Sequence, residues 1–174
     1  FGRCGAVTGA DAYGVVPDIV VVGKPAGNGM ALASVVATRK VADAFDTGME
    51  FFSTFGGNPV IAAAALATLR ELQNSDLIRD ALQKEQRFRE LLVHPHILEV
   101  RGRGLMLALL LKKPEMADYL VLHAMKKGLL LFWLLFEPRA VRISPPLTLS
   151  QAEIEQGCAL ILELLDHYPA RPVN

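Results

Sequence analysis

The chain has 174 residues, of which 52% are hydrophobic, and its 18 basic and 18 acidic residues cancel. This length allows one domain or two small lobes, and the balanced charge excludes the basic surface that nucleic acids or anionic membranes require. The mean hydropathy of +0.32 is high for an isolated soluble domain, which predicts apolar surface covered by something outside the chain, although no apolar run approaches the ~20 residues of a membrane-spanning helix.

The first residues, Phe1 to Gly5, form part of a glycine-punctuated loop and include no initiator methionine. We expect this loop to extend to Pro17, and we interpret the chain as the carboxy-terminal part of a longer polypeptide. Cys4 and Cys158 lack the spacing of metal ligands, so no metal site is predicted. Free thiols in a reducing cytosol are the preferred interpretation of these two cysteines.

An apolar run rich in valine, Ile19 to Val22, predicts a strand of a parallel sheet that is buried on both faces. The run stops at Gly23, and Lys24 follows before a loop that begins with Pro25. Open α/β sheets bind their ligands at the carboxyl ends of such strands. Burial there disfavours an ammonium, so Lys24 would present a neutral, nucleophilic amine able to form an imine with a carbonyl or with pyridoxal phosphate.

Lys24 has two other interpretations. A solvated loop lysine is the simplest, because most lysines at strand ends are of that kind. A phosphate-binding P-loop is rejected, since it needs a glycine where Asp18 lies and a serine or threonine where Pro25 lies.

Three further elements are predicted before residue 76: a strand of small and β-branched residues, a short amphipathic helix and an alanine-rich helix, at Ala31–Thr38, Arg39–Phe45 and Pro59–Gln73. Asn58 is expected to cap the last of these helices, with Pro59 at its first position. The aromatic cluster from Phe51 to Phe55 is expected to be buried. Gly56 and Gly57 permit close approach of a ligand or another backbone.

A domain boundary is predicted near residue 76, before a helix at Leu77–Leu92. The elements that follow have the order β-β-α-β-β-α of an α+β lobe, at Ile97–Arg101, Leu105–Leu111, Glu115–Lys127, Leu129–Phe136, Ala140–Ser144 and Ser150–His167. Gly128 is expected to end the first of these helices, and Ser150 with Glu153 to begin the second as a capping box. Trp133 is expected in the core, and the tail from Arg171 is expected to fray.

Four motifs, in order and spread over nearly the whole chain, resemble those of the class III aminotransferases. The first, similar to their pyridoxal-phosphate attachment region, comprises Gly2–Gly5, Asp18-Ile19, Gly23-Lys24-Pro25 and Asn28-Gly29. The other three resemble their second signature, the start of their small domain and the segment with their carboxylate-binding arginine, at Ser53–Pro59, Val100–Met106 and Val141–Thr148. The resemblance implies an α/β fold, with the C-terminal part of a large PLP-transferase domain of fold type I at residues 1–76 and a small α+β domain at residues 77–174.

The resemblance also implies roles for four residues. Lys24 would hold pyridoxal 5'-phosphate as a Schiff base and carry the proton between the substrate Cα and the cofactor C4′. Thr54 would bind the cofactor phosphate from the neighbouring subunit of a homodimer, so that the site is shared across the interface, and Ser53 would contact substrate. Arg142 would bind the substrate carboxylate as a bidentate pair. The alternatives are an ordinary turn threonine at Thr54 and a structural Asp or Glu partner for Arg142.

Three parts of the family's cofactor site have no counterpart in this sequence: an Asp-Glu pair, a glycine–serine phosphate loop and an aromatic residue that stacks on the ring. Without the Asp, which protonates the pyridine nitrogen, the cofactor is a poor electron sink. Met30 and Ala31 also replace a His-Pro pair that is frequent in the family.

The activity that the resemblance implies is that of a cytoplasmic, PLP-dependent aminotransferase. It would move an amino group from an amino acid or ω-amine to a 2-oxo acid by a ping-pong route, with small-molecule substrates and neither nucleic acid nor membrane as partners. Two alternatives stay open. One is another PLP reaction on the same scaffold, isomerisation or elimination by a lyase, and the other is a non-catalytic truncated piece that folds only with a partner.

Overall fold

The computed structural model describes residues 1–169 and divides into two compact units. The first unit comprises Phe1 and Ala6–Asp76, and the second comprises Gly2–Gly5 and the chain from Leu77 onward. The tail from Arg171, which is predicted to fray, lies outside the described residues.

The first unit contains three helices and a two-stranded antiparallel sheet: α1 (Gly9–Ala12), β1 (Ile19–Gly23), β2 (Ala33–Ala37), α2 (Arg39–Phe45) and α3 (Pro59–Asn74). A short 3-10 turn, Lys24–Gly27, follows β1 and packs against α3. The predicted cap of α3 is confirmed, because Asn58 Oδ1 accepts hydrogen bonds from the backbone N–H groups of Val60 (3.0 Å) and Ile61 (3.3 Å).

The interpretation of β1 as a parallel strand buried on both faces is wrong. β1 pairs antiparallel with β2, from Ile19 opposite Ala37 to Gly23 opposite Ala33, and Val21 is 76% exposed. A parallel crossover needs roughly a dozen residues or more, which the connection from Gly23 to Ala33 does not provide. Ile19 and Val21 therefore lie on an apolar face that other described residues leave open.

The predicted burial of the aromatic cluster is also wrong. Phe51, Phe52 and Phe55 are all largely exposed, Phe52 by 83%. The ring of Phe51 packs edge-on against Phe45 of α2, with 5.9 Å between the ring centroids. This one contact buries little of the surface of the aromatic cluster, although phenylalanine side chains favour burial away from water.

The second unit has the predicted β-β-α-β-β-α order after its first helix: α4 (Leu77–Leu91), β3 (Ile97–Arg103), β4 (Met106–Leu111), α5 (Pro114–Lys126), β5 (Phe132–Trp133), β6 (Ala140–Ile143) and α6 (Gln151–Asp166). Its four strands form one antiparallel sheet in the order β3-β4-β6-β5. Opposite pairs such as Leu109 and Val141 share a core with Leu120 of α5 and Ile154 of α6.

The predicted ends of α5 and α6 are confirmed. Gly128, with a φ of +86°, follows α5 in the left-handed conformation that glycine adopts at low cost. Ser150 accepts a hydrogen bond from the backbone N–H of Glu153, whose carboxylate accepts one from the N–H of Ser150. The Ser150–Glu153 pair satisfies backbone groups that a helix end leaves without an internal partner.

The predicted buried strand at Leu129–Phe136 is wrong in length and burial. β5 has only two residues, and Trp133, expected in the core, is 44% exposed, with its indole N–H donated to Asp118 of α5 at 2.7 Å. Beyond Trp133 the chain turns back at residues 137–139 to enter β6, so residues 134–136 have little strand to pair with. In the other direction the register places Leu129 opposite Pro145, and proline lacks the N–H that a ladder needs.

The amino-terminal residues Gly2–Gly5 form a strap on the second unit, where the sequence predicts an unstructured loop. The guanidinium of Arg3 donates hydrogen bonds to the carbonyl oxygens of Pro145 (2.6 Å) and Leu105 (3.2 Å). The carbonyl of Arg3 in turn accepts a hydrogen bond from the N–H of Leu105 at 2.8 Å. The strap thus joins the turn between β3 and β4 to the segment after β6.

No helix within residues 1–169 is both long and apolar enough to cross a membrane. Among the same residues, no group of three or more His, Cys, Asp and Glu side chains is arranged to hold a metal ion.

The two cysteines are free and differ in accessibility. Cys158 of α6 is 1% exposed, and burial raises the pKa of its thiol to about 12. The thiolate is the species that reacts with alkylating agents, so Cys158 is expected to stay unmodified in folded protein treated with iodoacetamide at pH 8.5. Peptide mass spectrometry should find the label on Cys4 alone, and on both cysteines after denaturation. Rapid labelling of Cys158 in folded protein would contradict the packing of α6.

Candidate active site

Lys24 occupies a strained position directly after β1. Its φ is +45°, in the left-handed region that non-glycine residues rarely enter. It begins the 3-10 turn whose last residues, Ala26 and Gly27, are buried, so packing of the turn holds the lysine backbone in place. Such backbone strain is frequent at functional positions.

The predicted burial of Lys24 is wrong for this chain. Its side chain is exposed, because β1 belongs to a sheet of only two strands and the packing of α3 against the turn buries Ala26 and Gly27 but not the lysine side chain. Within residues 1–169 its ammonium has neither a hydrogen-bond acceptor nor a carboxylate partner. The amine is therefore free to meet a group from outside the described residues.

Ser53 and Thr54 lie in the exposed loop before α3. The hydroxyl of Ser53 accepts a hydrogen bond from the N–H of Gly56 at 3.1 Å, and Gly57 has a φ of +69°. The Thr54 hydroxyl has no partner within residues 1–169. No hydrogen bond among these residues joins Lys24 to Ser53 or Thr54.

Arg142 belongs to the second unit and lies on β6. The strand is flanked by β4 and β5, yet Arg142 is exposed, since it faces away from the core that Val141 and Ile143 enter. An inner strand therefore does not bury this charge, because the opposite face of the sheet is open. The alternative of a structural carboxylate partner finds no support among residues 1–169.

Phe132 of β5 is the group that Arg142 does contact. The two residues are direct cross-strand partners, and the guanidinium carbon lies over the phenyl ring, 5.3 Å from its centroid. From the sequence, Phe132 is predicted only as part of a buried strand. The strand pairing that brings the two together was not predicted, so this contact was missed.

Three concave regions border these residues. An open groove of about 430 Å³ runs along β1 and includes Gly23 and Pro25, the neighbours of Lys24. A cavity of about 240 Å³ is lined by Ser53 and by the glycines that follow it. In the second unit, a mainly apolar cavity of about 290 Å³ includes Phe132 and Arg142.

These groups define what the residues can do chemically. An unpaired primary amine can attack a carbonyl, and a free hydroxyl can donate to a phosphate. A guanidinium with unused N–H groups can bind a carboxylate in a bidentate pair.

Comparison with known proteins places these residues in a family context. The family model described as aminotransferase class III matches residues 1–165. The acetylornithine aminotransferase of Mycobacterium bovis is 37% identical to the chain, over 98% of this chain and 42% of its own length. The chain thus spans about two fifths of the length of this curated relative.

Two solved structures have the same fold. A phospholyase from Arthrobacter in complex with phosphoethanolamine has a TM-score of 0.91 and 30% identity, over 97% of this chain and 43% of its own. The ornithine aminotransferase of Toxoplasma gondii, reported with partial occupancy of PLP at its active site, has a TM-score of 0.83 and 29% identity, over 94% of this chain and 39% of its own. The α/β fold class predicted from the sequence is confirmed.

Proposed function

Because this chain belongs to the class III aminotransferases, we propose that it carries the cofactor-binding lysine of an enzyme that moves an amino group from an amino acid or ω-amine to a 2-oxo acid. The membership confirms the resemblance drawn from four sequence motifs. The observation that carries the proposal is Lys24, a strained residue at a strand end with a free amine.

The cofactor of this family is pyridoxal 5'-phosphate, which supplies an aldehyde for the lysine and an electron sink for the substrate Cα. Two features of the chain fit it: the unpaired amine of Lys24 for the aldehyde and the unpaired hydroxyl of Thr54 for the phosphate. No residue is assigned to the pyridine nitrogen, because the Asp of the family has no counterpart in this sequence. The chain thus provides part of the cofactor site.

Lys24 would have two tasks at one atom, its Nζ. It would hold the cofactor covalently between turnovers, and after substrate has displaced it, the freed amine would take the proton from the substrate Cα and deliver it to C4′ of the cofactor. The fixed backbone of the 3-10 turn limits how far the amine moves. This positioning is the contribution of the fold to the proton transfer.

Arg142 would bind the substrate carboxylate. Its exposed guanidinium is not paired with a carboxylate of the described residues, so substrate would not have to displace one. Bidentate pairing fixes the direction of the Cα–H bond as well as contributing affinity. Ser53, beside Thr54, would contact the rest of the substrate.

The exposed aromatic run from Phe51 to Phe55 supports the proposed homodimer, in which Thr54 would serve the site of the neighbouring subunit. Contiguous exposed apolar surface of this kind marks interaction sites. We further propose that residues 1–76 complete a large PLP-binding domain and that residues 77–174 form the small domain. The enzyme would be cytoplasmic, and the Mycobacterium bovis relative makes an acetylornithine-type donor the first to test.

Elimination is the second candidate function, because one structure of the same fold is a phospholyase. Both reactions would begin with transfer of the proton from the substrate Cα to Lys24 and would then differ in where the electrons go. Transamination moves the amino group onto the cofactor, whereas elimination expels a phosphate from the substrate and leaves the amino group to be released. Absorbance after one turnover without a 2-oxo acid separates them, since only transamination leaves the cofactor in its pyridoxamine form.

Borohydride reduction tests the assignment of Lys24. Protein incubated with pyridoxal 5'-phosphate and reduced is expected to carry one stable pyridoxyl group on Lys24, found by peptide mass spectrometry. Lys40, exposed on α2, is the internal control and should stay unlabelled at stoichiometric cofactor. Labelling of many lysines without preference for Lys24 would contradict the proposal and favour the alternative of a non-catalytic piece.

A further inference from the structure

Arg142 and Phe132 form a stacked pair on the open face of the four-stranded sheet. Their Cα atoms are direct partners across β5 and β6, and the guanidinium carbon lies 5.3 Å from the ring centroid. A cation over an aromatic face is attracted by the negative charge density of the ring. The pair therefore restricts the orientations of a long side chain that would otherwise be free in solvent.

The ring holds the guanidinium without using its hydrogen-bonding capacity. A phenyl ring accepts no in-plane N–H, unlike a carboxylate, which would occupy the same N–H groups that a substrate needs. The cross-strand neighbour of Arg142 on the other side is Ala108, whose methyl group offers no competing acceptor. Within residues 1–169, the guanidinium of Arg142 donates no hydrogen bond.

We infer that Phe132 is a positioning residue that holds Arg142 ready for bidentate pairing with the substrate carboxylate. The inference rests on the role proposed above for Arg142. Ordering an arginine upon binding costs side-chain entropy, and a side chain that is already ordered loses less. Removing the ring should therefore weaken carboxylate binding and leave the chemical step unchanged.

Kinetics of the PLP-loaded protein give the first test. Phe132→Leu is expected to raise KM for a carboxylate-bearing donor roughly two- to fivefold, the size of an exposed cation–π contact, with kcat unchanged. Phe132→Tyr keeps the ring and should keep the KM. Phe136→Leu is the matched control, because this 97% exposed phenylalanine lies beyond β5, and its KM should equal that of the parent protein.

A second variant makes the expected effect larger. Phe132→Glu puts a carboxylate opposite Arg142 in the same cross-strand position, where it would compete with substrate, and should raise KM at least about tenfold, more than cation–π loss alone. Phe132→Gln has a similar shape without the charge and should match Phe132→Leu. A Phe132→Glu protein with the KM of Phe132→Gln would overturn the inference.

Equilibrium binding of pentanoate, measured by calorimetry, provides a readout independent of turnover. Its amide, pentanamide, has the same shape without the charge and should bind all variants alike. Phe132→Leu is expected to weaken pentanoate by the same two- to fivefold factor, with Trp133 fluorescence unchanged as a check of folding.

Arg142→Gln separates failure of the inference from failure of the proposed function. If this variant binds pentanoate as the parent does, the role of Arg142 is wrong and the inference falls with it. If it binds pentanoate weakly while Phe132→Leu binds it normally, the role of Arg142 in carboxylate binding is supported, and the inference that Phe132 positions Arg142 is wrong. If both bind weakly and the double variant binds no worse than Arg142→Gln, the two residues act through one contact, as inferred.

Discussion

Replacing Lys24 with alanine is expected to abolish amino-group transfer and covalent cofactor retention together. Both tasks depend on Nζ in the proposed function, so one substitution removes both. Proton transfer by a positioned group contributes roughly 10²- to 10⁴-fold to a rate, and loss of the covalent bond adds to that. We expect single-turnover rates to fall by at least about 10³-fold, and the cofactor to separate from the protein on gel filtration.

Two comparisons make this expectation specific to the amine. Lys24→Arg keeps a positive charge but cannot form an imine, so it should be as inactive as Lys24→Ala. Lys40→Ala removes another exposed lysine of the first unit and should leave the rate unchanged. Added ethylamine should restore part of the proton transfer in Lys24→Ala, because a small amine can enter the space left by the side chain. Substantial activity of Lys24→Ala without added amine would contradict the mechanism.

Helix ends were predictable because their signals are local. Asn58 before Pro59 and the Ser150–Glu153 capping box satisfy backbone groups within one turn of chain, and both are seen in the structure. The same logic could have predicted α1. Thr8 and Asp11 form a capping box there, with the same spacing and chemistry, inside a segment that is predicted as a loop.

Burial was not predictable from the apolar runs. An apolar run indicates that its surface favours burial, but it does not show which residues would bury it. The valines of β1, the aromatic cluster from Phe51 to Phe55 and the segment at Leu129–Phe136 all have largely exposed members. The same apolar segments contribute to the high mean hydropathy of the chain. Exposed apolar area on this scale supports the expectation of cover from outside the chain.

The candidate site also combines a feature that was predictable from the sequence with features that were not. Lys24 was found from its place after an apolar strand, which is a local signal, but its exposure depends on pairing that is not local. The contact of Phe132 with Arg142 is set by the register of β5 and β6. The spacing of residues in the sequence does not predict that register.

Replacing Gly104 with alanine is expected to destabilise the second unit. Gly104 has a φ of +59°, which costs an L-residue roughly 1–2 kcal/mol. A Cβ there would also overlap the backbone carbonyl oxygen of Arg3. Overpacking of this kind costs roughly 1–3 kcal/mol, so the free energy of unfolding should fall by about 2–5 kcal/mol in total.

The overlap cannot be relieved cheaply because the obstructing atom is held on several sides. The carbonyl of Arg3 accepts the N–H of Leu105 at 2.8 Å, and the Arg3 guanidinium is bonded to Pro145 at 2.6 Å. Moving the strap would break these bonds, and moving Gly104 would break the bond from its N–H to Glu85 at 2.5 Å. Either shift leaves polar groups to find new partners.

Gly128→Ala is the matched control, since Gly128 also has a positive φ, +86°, but a Cβ there would meet no atom within 4 Å. It should lose only the roughly 1–2 kcal/mol of the backbone term. The single tryptophan of the chain, Trp133, lies in the second unit, so urea titration of its fluorescence follows that unit selectively. Equal losses for the two variants would show that the strap yields freely, and that Arg3 does not fix the segment after β6.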